Sequence, residues 1–101
     1  MRLMRIETFS DDETIAGRIA DLAVSECGAA SAHIDQTSSV YRWNGEVRHS
    51  REYHLDIICT EEQMDDILVM IRETHDYELP AITWQEIGAE KRTADWIREG
   101  E

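Results

Sequence analysis

The amino-acid sequence predicts an α+β fold in the order β-α-β-β-α-β, closed by a short C-terminal helix. Three observations predict it. Asn44-Gly45 joins two long alternating arms, and Asn-Gly is the strongest short-range hairpin signal because both central residues of its turn need φ > 0. Two stretches of helical period each open on a capping pattern, Ser10-Asp11-Asp12-Glu13 and Thr60-Glu61-Glu62-Gln63. Pro80, the only proline, precedes a short extended run, where its missing N–H suits a strand start.

Taken in order, a first strand spans about Arg2 to Phe9. A first helix follows to about Cys27, with Ser10 as its cap and Ile15, Ala16, Ile19, Ala20, Leu22 and Ala23 as its apolar stripe. Gly28 stands where a left-handed residue ends a helix. The hairpin arms run from about Ala30 to Trp43 and from Glu46 to Thr60. In the second arm Tyr53, Leu55, Ile57 and Cys59 share one face, and His54, Asp56 and Ile58 the other. Met64, Ile67, Leu68 and Ile71 place a second helix up to about His75. A last strand covers Ala81 to Ile87, and a short helix about Ala94 to Arg98. This order is the ferredoxin-like βαββαβ antiparallel sandwich, and residues 1–101 read as a single domain.

The hairpin is too long for its own domain. At about 3.3 Å per residue each arm exceeds ~40 Å, whereas a domain of this size has a radius of gyration of about 13 Å. Its end projects, and its edges invite another chain, so an oligomer is expected.

With 10 basic against 22 acidic residues the chain carries a net charge of −12. That field repels polyanions, which argues against nucleic acid and anionic membrane surfaces as partners. No run of ~18 apolar residues exists to span a membrane, and no signal-peptide core follows the N-terminus, so the chain reads as cytoplasmic. Cys27, in the expected last turn of the first helix, and Cys59, at a strand end, lack Cys-x-x-Cys spacing and read as reduced, buried thiols.

Among residues able to carry chemistry, His75 at the end of the second helix is the first candidate. It suits a structural cap or a metal ligand, with Tyr77 and Glu78 close behind. Tyr41 and Trp43 share one side of a strand, and Trp84 and Trp96 join them either across the sheet or across an interface. Such rings suit an oligomer interface or a small-molecule cleft. Glu52 reads as a surface charge or an intersubunit pair. His54-x-Asp56 puts two donors on one strand face, which is not a coordination sphere, and no four-ligand zinc spacing occurs. There is no Gly-x-Ser-x-Gly, P-loop or Gly-x-Gly-x-x-Gly motif, so the reading is non-enzymatic.

Over nearly all of its length the chain resembles the CutA-type divalent-cation tolerance proteins. The similar pieces are the first helix, Ser39-x-Tyr41-x-Trp43-x-Gly45, Glu52, Thr60, His75-x-Tyr77-Glu78-x-Pro80 and Trp96-Ile97. The resemblance implies a homotrimer of ferredoxin-like subunits joined by hairpins and strands, similar in architecture to the PII signalling proteins. It also implies a role in tolerance of copper and other divalent cations, with no required cofactor. On it, Ser39, Tyr41, Trp43, Glu52, His75, Tyr77, Glu78 and Trp96 are the ligand-binding candidates, and His75 and Glu78 the metal ligands. The chain departs from the family pattern at Ser31, where a cysteine is usual, and at Cys59, where a lysine is. It departs again at Asp76 for proline and Thr93 for tyrosine. The alternative functions are a PII-like module binding a metabolite at intersubunit clefts, a small enzyme using His75 and Glu78, and a purely architectural trimer.

Overall fold

The computed structural model describes residues 2–99. The chain runs β1 (Leu3–Ser10), α1 (Glu13–Ser25), β2 (Ser31–Trp43), β3 (Glu46–Thr60), α2 (Met64–Thr74), β4 (Ile82–Ile87) and α3 (Lys91–Glu99). The strands form one antiparallel sheet in the order β2-β3-β1-β4, the ferredoxin-like arrangement expected from the sequence.

Strand alternation sorts the sheet into two faces. Met4, Ile6 and Thr8 of β1 pair with Cys59, Ile57 and Leu55 of β3, and this row lies under the helices. It meets Ala16, Ile19 and Ala23 of α1 and Met64, Ile67 and Ile71 of α2 in one buried core. Each large apolar side chain buried this way contributes about 1.5–3 kcal/mol before entropy is counted. The Thr8 hydroxyl lies within this core without a hydrogen-bond partner among the described residues. The opposite face carries Arg5, Glu7 and Phe9 with His54 and Asp56, and α3 covers only one end of it. There Ala94 and Ile97 bury Leu3 beside Ile58 and Ile87.

Local chemistry sets the element ends, with some corrections. The cap of α1 is Asp12 and not Ser10: the Asp12 carboxylate accepts from the Ile15 N–H at 3.1 Å, while Ser10 ends β1 and accepts from the Asp12 N–H at 3.1 Å. A strand-end hydroxyl turned inward is not free to cap. Cys27 falls beyond the last turn of α1 and not within it, because Gly28 at φ 79° already turns the chain away. At the second capping pattern Gln63 accepts from the Thr60 N–H at 2.9 Å, across a short 3-10 turn that precedes α2. Its amide also donates to the Gly28 carbonyl at 2.8 Å, tying the two helix connections together. β1 and β4 lie within a residue of the expected bounds, whereas α3 starts three residues early, at Lys91.

Asn44 and Gly45 adopt φ 51° and 77°, as the tight hairpin turn demands. β2 pairs with β3 from Ser31–Ile58 out to Trp43–Glu46, but β1 accompanies β3 only from Tyr53 to Thr60. The outer hairpin, residues 37–52, therefore stands beyond the rest of the sheet and gives the molecule its 44 Å long axis.

Candidate functional site

A cleft opens where the outer hairpin leaves the sheet, on the face opposite α1 and α2. Its volume is about 800 Å³. One wall is β2 from Thr37 to Trp43 with Arg48 and Glu52 of β3; the other is Phe9 of β1 and the segment from Tyr77 to Ala81. Alternation explains the first wall: Thr37, Ser39, Tyr41 and Trp43 pair with Glu52, Ser50, Arg48 and Glu46, all on one side. Tyr41 and Trp43 remain 42% and 41% exposed, and Leu79 across from them 69%.

The second wall is held by His75. Its backbone N–H ends α2 on the Ile71 carbonyl at 2.8 Å. Its ring is wholly covered, with Nε2–H donating to the Phe9 carbonyl at 2.5 Å and Nδ1 accepting from the Tyr77 N–H at 3.1 Å. Those partners leave neither nitrogen a free lone pair. The Tyr77 ring leans on His75 at 4.5 Å, and its hydroxyl donates to Glu52 at 3.0 Å. Burial, then the Glu52 carboxylate, push the Tyr77 hydroxyl well above the ordinary phenol range, so it stays a donor. Glu52 is thus corrected: it is 8% exposed and paired inside its own chain rather than a surface charge.

Six of the eight ligand candidates, Ser39, Tyr41, Trp43, Glu52, Tyr77 and Glu78, line this cleft, and His75 braces it from behind. Trp96 does not: it is on α3, the helix whose Ala94 and Ile97 pack over Leu3. Trp84 pairs with Ile6 and so stands on the helix side of β4, away from Tyr41 and Trp43. The register overturns the option of Trp84 meeting Tyr41 and Trp43 across the sheet. Phe9, Arg48 and Leu79 were missed as lining residues. The Asn44-Gly45 register does place Arg48 opposite Tyr41, but only the fold brings Phe9 and Leu79 there.

Among the described residues no three His, Cys, Asp or Glu side chains are grouped to hold a metal ion. Of the expected metal pair, His75 has both ring nitrogens engaged within the chain, while Glu78 lines the cleft. Cys59 is fully buried, and burial pushes its thiol up to about 11. The Cys27 thiol is raised by burial and then by Asp66 and Glu26. Thiolate donors for copper are thus disfavoured at both cysteines, and the donors of a single chain do not fit a resident copper ion. The cleft offers instead aromatic faces, hydroxyls, two arginines and two carboxylates, the groups that seat a small organic ligand or another polypeptide.

The family model described as CutA1 divalent ion tolerance protein matches residues 4–100. The divalent-cation tolerance protein CutA of Thermus thermophilus is 33% identical over 89 residues, 86% of each chain. The crystal structure of CutA1 from Shewanella sp. SIB1 superposes with a TM-score of 0.90 at 28% identity, covering 97% of this chain and 94% of that one. CutA from Synechococcus elongatus PCC7942 gives 0.89 at 28% identity, over 97% and 88%.

Proposed function

This chain belongs to the CutA1 divalent ion tolerance family, and from that premise we propose that it is a non-enzymatic homotrimer. It acts in divalent-cation tolerance by binding a small ligand in clefts beside its subunit junctions. One observation carries this reading: residues from β1, β2, β3 and the Tyr77–Ala81 segment converge on a cleft whose apolar parts are left open by their own chain.

The charge distribution supports assembly. Residues 37–52 hold three arginines against two glutamates, while the whole chain carries −12, so all of the net negative charge lies outside the outer hairpin. A weakly basic hairpin complements the acidic body of a second copy. Val40 and Val47, 65% and 72% exposed, add to what such docking buries. Trp96 reaches a cleft from a neighbouring subunit on this reading.

The donor set favours a small organic ligand over a bound ion at this position, which brings the PII-like reading forward. Divalent cations then enter as co-ligands or between chains. The two free thiols suit a reducing, cytoplasmic setting. The deciding experiment is a competitive titration of the purified assembly with copper and zinc against a chelator, beside a thermal-shift screen of small anionic metabolites with and without the ions. Metabolite stabilisation that is lost in Trp43→Ala supports the cleft. Tight stoichiometric metal binding that persists in Trp43→Ala and needs no metabolite would overturn it.

A further inference from the structure

His54 lies between two groups that can only accept. Its Nε2 is 2.7 Å from Glu7 Oε2, and its Nδ1 is 3.1 Å from Asp35 Oδ1. A neutral imidazole has one N–H and satisfies one such contact; the imidazolium, with two, satisfies both. The partners come from different strands: His54 from β3, Glu7 from β1 and Asp35 from β2. The ring therefore ties three adjacent strands together at the hairpin root, one pair inside the last strand pair that β1 closes there, Ser10 with Tyr53. Phe9 stacks on this ring with centroids 4.9 Å apart, and the same Phe9 lines the cleft.

The rest of this face leaves the tie to His54. From β1 the charged neighbours are Glu7 and Arg5, and Arg5 is drawn to Asp56 at 3.1 Å. From β2 they are Asp35 and His33, the latter paired in register with Asp56. From β3 they are Asp56 and Glu52, and Glu52 accepts from Tyr77. β4 turns Thr83 and Gln85, both uncharged, to this side.

We propose that His54 is a proton-operated tie: as imidazolium it clamps the hairpin root, and with it the β2 wall of the cleft, to β1, and on losing a proton it lets one carboxylate go. The energetic balance runs the same way. Burial pulls the His54 pKa down, but the hydrogen bonds to Glu7 and then Asp35 more than reverse this, so the pKa is raised above the ordinary value. A raised folded-state pKa gives stability that is full below the unfolded pKa of ~6.5 and is lost as pH rises through the folded value. The hairpin root thus loosens as pH rises through the raised His54 pKa. Divalent metals and metabolites take no part in this step, so it stands apart from the cleft's ligand.

The test is a histidine-resolved NMR titration of the full chain in its native assembly. It is paired with hydrogen-exchange protection at Ile34–Thr37, corrected for intrinsic exchange. The expected result is a His54 midpoint above ~6.5, with both ring nitrogens protonated below it and protection at the root falling as it titrates. Glu7→Gln and Asp35→Asn should each lower the midpoint, Glu7→Gln more. Asp35 is exposed enough that its variant tests the idea even if Glu7→Gln misfolds. A midpoint at or below ~6.5, or protection that responds to pH identically in wild type and Asp35→Asn, would overturn the proposal.

Discussion

The root and the tip of the same hairpin are built alike and live differently. At the root, Leu55, Ile57 and Cys59 of β3 are wholly buried under two helices. At the tip, Tyr41 and Trp43 share one face and Val40 and Val47 the other, yet each is at least 41% exposed. One β-ladder runs through both, so strand propensity cannot account for the difference. What separates them is whether the chain supplies a second layer. The root has one and folds on its own account. The tip has none, and its apolar side chains make sense only against something else.

The largest effect belongs at the root. Ile57→Ala should cost about 2–5 kcal/mol, because it opens a cavity in a closed core, measured by thermal or urea unfolding. Trp43→Ala, a larger truncation, should leave subunit helicity intact and act on assembly instead. If Trp43→Ala destabilises a dilute, dissociated subunit as much as Ile57→Ala does, the contrast between root and tip is broken.

Between these regions lies the Tyr77–Glu52 pair. Tyr77→Phe removes a donor from a buried carboxylate and should cost about 1.5–3 kcal/mol. Glu52→Gln added to it should recover part of that loss by removing the stranded charge. An equal loss in single and double variants would mean that the hydroxyl is not the support described above. A double-mutant cycle on unfolding free energies reads it directly.

Much of this architecture is legible in the residues. Asn44-Gly45, the apolar alternation around Leu55 and Ile57, and the stripes of α1 and α2 are local patterns that their packing agrees with. The cleft is legible in part: Tyr41, Trp43 and Glu52 fall on one strand face by counting in twos from the turn. The partners of Glu52 and His54 are legible only in part: counting from Asn44-Gly45 sets Asp35 opposite His54, whereas Tyr77 and Glu7 lie on other segments, 25 and 47 residues away. The misplaced cap at Ser10 has a similar cause. Ser10 and Asp12 both offer good capping chemistry, and the sheet decides by burying Ser10.

Smaller effects refine the picture. Gly45→Val forces a β-branched residue to φ 77°, a strain of about 1–2 kcal/mol. Nothing lies within 4 Å of the added Cβ, so the cost is conformational rather than steric contact. Faster hydrogen exchange at the tip with an unchanged root is the expected pattern; uniform destabilisation would mean that the tip helps hold the root. Thr8→Val should gain about 1 kcal/mol by removing a buried hydroxyl that has no partner among the described residues. A loss of stability there would show that the hydroxyl has a partner after all.

The central claim is that the outer hairpin is completed by other copies of this chain. Its most direct test is the native mass by sedimentation equilibrium across a wide range of protein concentration. A mass three times the 11.7 kDa subunit, falling in Trp43→Ala, is the predicted result. A stable species of 11.7 kDa at all concentrations would contradict it and leave the exposed tip without a purpose.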